Sequence, residues 1–97
     1  MASENLSSRE LPYSTEAEKA VLGGIMLKNE TWDIISDLVK EDDFHKEEHK
    51  LIYRTINNLQ DAGKPVDVIT VQEAIEGNGD LPKLINSGGK DYLTLLA

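Results

Sequence analysis

From residue 20 to residue 27 the chain carries no charge: Ala20-Val21-Leu22-Gly23-Gly24-Ile25-Met26-Leu27. Apolar side chains on every side of a helix predict burial on several sides. The stretch therefore reads as a central helix, about Thr15 to Leu27, with other helices packed round it. Its start is doubly marked. Ser14 and Thr15 are both N-cap residues, and Thr15-Glu16-Ala17-Glu18 fits a capping box. Glu16 and Glu18 place negative charge where the helix dipole favours it, and Pro12 stands just outside the ladder. Gly23 and Gly24 each cost a helix about 1 kcal/mol against Ala, a cost that predicts close approach of another backbone.

The pattern changes at Lys28-Asn29-Glu30. Asn29 can cap a second helix, about Glu30 to Val39, with Ile34, Ile35, Leu38 and Val39 as its apolar stripe and Trp32 at the edge as a core residue. Asp33 and Asp37, four apart, share another face. Lys40-Glu41-Asp42-Asp43 is an acidic connection, and Phe44 is its anchor in the core. The third helix, about Lys46 to Ala62, has the clearest period: His49, Ile52, Tyr53, Ile56 and Leu59 recur at steps of three and four. Gly63 fits the position after its C-cap and Pro65 stops it.

Val66-Asp67-Val68-Ile69-Thr70-Val71 is rich in β-branched residues, as strands are, but no second strand exists to pair with it. Thr70-Val71-Gln72-Glu73 repeats the capping box, with Ile69 as a staple. An extended approach and then a helix over about Val71 to Glu76 is expected. Gly77-Asn78-Gly79-Asp80 ends it. Leu81 to Ser87 reads as a short helix or turn with Leu84 and Ile85 inward, and Gly88-Gly89 punctuates again. Lys90 to Ala97, with Tyr92, Leu93, Leu95 and Leu96, reads as the first turns of another helix. That pattern is unfinished, as in a piece cut from a longer protein. The expected fold is all-α, a small orthogonal bundle of about five to six short helices over residues 12–97, behind a polar, flexible lead over residues 1–11.

With 97 residues the chain is one domain with a modest core, and with 5% aromatic residues that core is mostly aliphatic. It has no cysteine, which excludes disulfides and thiolate metal sites and suits a reducing cytoplasm. There is no targeting segment and no run of membrane-spanning length. The formal charge is −8. Without a basic cluster to neutralise phosphates, neither bare DNA nor an anionic membrane is an expected partner. From Glu30 to Glu48, eight acids stand against two lysines. A basic protein surface is the natural complement, and a merely well-solvated surface is the plainer alternative.

No catalytic constellation emerges. His45 and His49 are one helical turn apart, but Lys46 replaces the Glu that a zinc-protease motif needs after its first His, and no third His completes a site. His49 reads as a packed, hydrogen-bonded residue. Asp42-Asp43 and Glu47-Glu48 read as a solvated acidic patch. Gly88-Gly89-Lys90 fails the phosphate-loop pattern, because Leu84 and Asp91 stand where Gly and Ser or Thr are required.

A set of short motifs, weak singly, occurs in a specific order. Pro12, Glu16-Ala17-Glu18, Val21-Leu22-Gly23 and Met26 resemble the opening motif of the N-terminal domain of bacterial replicative DNA helicases of the DnaB type. Asp43-Phe44, then His49 with Ile52-Tyr53, then Gly63, Pro65-Val66-Asp67 and Thr70, then Gly88-Gly89 with Tyr92-Leu93 resemble that family's later motifs, from Pro12 to Leu96. The Asp80 to Ser87 segment is slightly longer than the family's usual one. The resemblance implies the head of a hexameric, ATP-driven helicase acting in the bacterial cytoplasm at the replication fork. It implies roles in ring assembly and primase docking, and as partners primase, sister subunits and a helicase loader. The helical hairpin and RecA-like ATPase domain of that family are not in this sequence. ATP and Mg are implied only for that domain, and no cofactor for this one.

The expected function is thus assembly and partner docking, with Asp33, Asp37, Glu47 and Glu48 as charge-based candidates for partner contact. A stand-alone acidic protein-binding adaptor with a convergent match is the alternative. A metal-dependent hydrolase built on His45 and His49 is a third reading, resting on stoichiometric zinc.

Overall fold

The computed structural model describes residues 14–87 and 90–96, apart from the side chains of residues 85–87 and 90. The lead over residues 1–11, Pro12, the Gly88-Gly89 pair, the inward placement of Ile85 and the end at Ala97 lie outside that description. Five α-helices are described: α1 (Thr15–Leu27), α2 (Trp32–Leu38), α3 (Glu47–Asp61), α4 (Val68–Gly77) and α5 (Lys90–Leu96). Short 3-10 helices at Asn29–Thr31, Glu41–Asp43 and Leu81–Ser87 join them. Among the described residues there is no strand, so the fold is all-α.

The centre is α3 rather than α1. Helices α1 and α4 and the 3-10 helices at Glu41–Asp43 and Leu81–Ser87 all pack on α3, and α5 closes the bundle between α1 and α4. Seven residues of α3 are buried: His49, Leu51, Ile52, Tyr53, Thr55, Ile56 and Leu59. By contrast α1 has a solvent side, with Glu16, Ala20, Gly24 and Leu27 exposed and Glu18, Leu22, Ile25 and Met26 buried. An uncharged run thus turned one face to water, because Ala and Gly cost little there. A Cβ on Gly24 would meet open space, so close backbone approach does not account for that glycine.

Helices α1 and α5 start at Thr15 and Lys90 as expected, while α2, α3 and α4 start two, one and three residues from the expected positions. Ser14, not Thr15, caps α1: its side chain accepts the Ala17 N–H at 3.2 Å. Asp67 caps α4, accepting the Thr70 N–H at 2.8 Å, while the Thr70 hydroxyl accepts the Asp67 N–H at 2.9 Å. The reciprocal box therefore runs from Asp67 to Thr70, and the β-branched stretch is helical from Val68. Ile69 is exposed and is no staple. The capping geometry overrides β-propensity, which reflects packing on a sheet that is absent here.

Asn29 is not a cap but a bridge. Its Nδ2 donates to the carbonyls of Ile25 (3.0 Å) and Val66 (2.6 Å), and its Oδ1 accepts the Val66 N–H at 2.9 Å. It fastens the end of α1 to the approach of α4. Helix α2 starts after a 3-10 turn, and its buried side is not the expected stripe: Trp32 and Val39 are buried and Ile35 packs at the core edge, while Ile34 and Leu38 are exposed. Phe44 is buried against Tyr53, their ring centroids 5.1 Å apart. The Tyr53 hydroxyl donates to the Val39 carbonyl. Burial first, and the Asp43 carboxylate second, push Tyr53 up to about 12, so it stays a donor.

Helices α3 and α4 end alike. Gly63 (φ 72°) and Gly79 (φ 77°) take the left-handed conformation. Lys64 N–H reaches the Leu59 carbonyl and Asp80 N–H the Ile75 carbonyl, the Schellman closure of a helix C-terminus.

Candidate functional site

Glu18 lies on the same side of α1 as Leu22, Ile25 and Met26, and it is 1% exposed. A buried carboxylate is costly unless it is fully hydrogen-bonded, and this one has four partners. Oε2 accepts the His45 N–H at 2.8 Å and lies 3.0 Å from His45 Nδ1. Oε1 lies 2.7 Å from His49 Nδ1 and accepts the Lys46 N–H weakly at 3.5 Å. Lys46, the N-cap of α3, makes no side-chain cap bond. Glu18 of α1 therefore supplies, from another helix, the negative charge that the N-terminus of α3 lacks in its own cap.

The chain of contacts continues to α5. His49 Nε2 meets the Tyr92 hydroxyl at 2.5 Å, with the two rings stacked at 14°. Burial raises the Glu18 pKa, but bonds from His49, His45 and the His45 and Lys46 backbone outweigh it and leave the pKa lowered. An ionised carboxylate can only accept, so Nδ1 of each ring presents a proton to it. In the neutral His49 ring Nε2 then accepts from Tyr92. Burial, then the carboxylates of Glu48, Glu16 and Glu18, raise the pKa of Tyr92, so its proton stays on.

Carboxylate, imidazole and hydroxyl in a row resemble the order of a nucleophilic triad, but the chemistry runs the other way. A nucleophile needs a lowered pKa and access. Tyr92 is raised and buried, and His49 is wholly buried. The row ties α1, α3 and α5 together. The Nδ1 atoms of both His45 and His49 face Glu18 oxygens at hydrogen-bond distance. Among the described residues no group of three or more His, Cys, Asp or Glu is arranged to hold a metal.

An open cleft of about 390 Å³ lies over this row, lined by Thr15, Glu18, His45 and Lys46. A second, of about 180 Å³, runs between α2 and α3 past Trp32, Ser36, Lys40, Glu41, Tyr53, Arg54 and Asn57. The Arg54 guanidinium there is paired with Glu41 at 3.2 Å.

The four candidate acids fall on two helices. Asp33 and Asp37 are exposed on α2, beside Ile34 and Leu38. Glu47 and Glu48 form the first turn of α3; Glu47 is exposed and pairs with Lys50 at 3.8 Å, and Glu48 is half-buried. Sequence reasoning missed Glu18 and Tyr92 as partners of His49. The signal was present: Glu18 precedes Leu22 and Ile25 by four and seven residues, in phase with the buried face.

The family model for the DnaB-like helicase N terminal domain matches residues 10–97. The chain is 45% identical over 86 residues to the replicative DNA helicase DnaB of Buchnera aphidicola subsp. Schizaphis graminum, covering 89% of this chain and 18% of that protein. It is 43% identical to that of Haemophilus influenzae, with the same coverage of each. The replicative DNA helicase DnaC of Bacillus subtilis is 40% identical over 92 residues, 95% of this chain and 20% of that protein. The chain thus spans about a fifth of the length of these relatives. In three dimensions it is similar to the N-terminal domain of the DnaB helicase from Mycobacterium tuberculosis, with a TM-score of 0.81 and 30% identity over 88% of this chain and 59% of that one.

Proposed function

The chain belongs to the family of DnaB-like helicase N-terminal domains, and on that footing we propose that it is the assembly and partner-docking head of a replicative helicase. The protein of which it forms part unwinds duplex DNA with ATP hydrolysis in the bacterial cytoplasm at the replication fork. This head contributes to the hexameric ring and receives primase, with a helicase loader as a further partner. ATP and Mg belong to the motor, so the pure chain is expected to turn over no ATP.

The observation that carries the reading is the family match across residues 10–97. Charge supports it: at −8, the chain is suited to basic protein surfaces and not to phosphates. Asp33 and Asp37 on α2, and Glu47 and Glu48 on α3, are the proposed acidic contacts.

The test is an NMR titration of the labelled chain with the C-terminal domain of the same organism's primase. Localised, saturable shifts are expected. Their absence at saturating primase would overturn docking on this head.

A further inference from the structure

Helix α2 turns a two-sided face to solvent. At 100° per residue, Asp33, Asp37, Ile34 and Leu38 occupy one continuous arc of about 140°, acids along one edge and aliphatics along the other. All four are exposed, Ile34 to 64% and Leu38 to 55%. Trp32, Ile35 and Val39 hold the opposite side of the helix against the core. A single exposed aliphatic residue is ordinary surface. Two at i and i+4, flanked by two acids at the same spacing, make half of a helix-to-helix contact.

We propose that this face of α2 docks an amphipathic helix of another protein, one whose apolar stripe is edged with lysine or arginine. Ile34 and Leu38 would bury the stripe, and Asp33 and Asp37 would select the basic edge. Lys40, the cation nearest Asp37 in sequence, gives its Nζ to the Ser36 carbonyl. Charge also argues against a second copy as occupant. An antiparallel two-fold contact through this face would bring two Asp33–Asp37 edges together, and a parallel one would set each acidic edge on the other's Ile34–Leu38 edge, in a chain already at −8. The inference concerns chemistry and place, and it stands apart from whether the partner is primase.

The test uses the labelled chain and a synthetic helical peptide with Leu at i and i+4 and Arg beside each. Saturable shifts confined to residues 33–38 are expected, with affinity falling at least tenfold on raising salt from about 50 to about 500 mM. The exposed double variant Ile34→Ser/Leu38→Ser should bind at least tenfold more weakly without losing its fold. Asp33→Asn/Asp37→Asn should remove most of the salt dependence. The inference is overturned by shifts centred elsewhere, by equal binding of a peptide with Glu for Arg, or by no saturable shift up to millimolar peptide. Self-association through α2, seen by light scattering and abolished by the Ile34→Ser/Leu38→Ser variant, would also overturn it. Since the peptide is not primase, failure here leaves the docking reading untouched, and failure of the primase titration leaves this one untouched.

Discussion

Glu18 Oε1 lies 2.7 Å from His49 Nδ1, in the core and 31 residues apart along the chain. Removing the carboxylate strands two imidazoles and the N–H groups of His45 and Lys46, just ahead of α3. Glu18→Ala is therefore expected to cost about 3–5 kcal/mol, the range for breaking a buried charged pair on one side. Urea unfolding followed by circular dichroism measures it, and a loss under about 1 kcal/mol would show that the row does not hold the fold.

The same carboxylate sets an acid limit. Its folded pKa lies below the ordinary value of 4.5. A group depressed on folding adds stability that is complete above its unfolded pKa and is lost as the pH falls through the folded one. The wild-type urea midpoint should fall below about pH 4.5, and more steeply than that of Glu18→Gln. Parallel profiles would assign the acid sensitivity to other carboxylates.

Asn29→Ala deletes three hydrogen bonds, one to Ile25 of α1 and two to Val66 ahead of α4. A loss of about 1–2 kcal/mol is expected. Amide exchange should quicken at Val66, whose N–H loses its partner, while the centre of α3 keeps its protection.

The position of the α4 cap separates two similar sequence patterns. Asp67→Ala should destabilise by about 1 kcal/mol and Asp67→Asn by much less, whereas Glu73→Ala should stay within about 0.5 kcal/mol. A larger effect at Glu73 than at Asp67 would move the box back to Thr70–Glu73.

Gly24→Ala should stabilise the chain by about 0.5–1 kcal/mol, since the site is helical, exposed and open to a Cβ. A higher midpoint of thermal unfolding checks it. A lower one would reveal a neighbour at that position.

The sequence marked the five helices to within a few residues, the closure of α3 at Gly63, the burial of Trp32 and Phe44, and the ordered motifs that resemble the family. Those depend on spacing, on φ-limited residues and on residue volume, all local properties of the chain. It also placed Asp33 and Asp37 together on one face. Packing between distant segments makes α3 rather than α1 central, makes Asn29 a bridge instead of a cap, and turns Ile34 and Leu38 of α2 outward. Trp32, Ile35 and Val39 hold the core side of α2, and that choice between two apolar sides of one short helix depends on what the rest of the chain presents to it. Glu18 shows a related limit: its phase with Leu22 and Ile25 is in the sequence, but its partners are not. In the first turn of a helix an acid satisfies the dipole whether it faces water or core. The groups that chose the core for it, His45, His49 and the N-terminus of α3, lie 27 to 31 residues further along the chain.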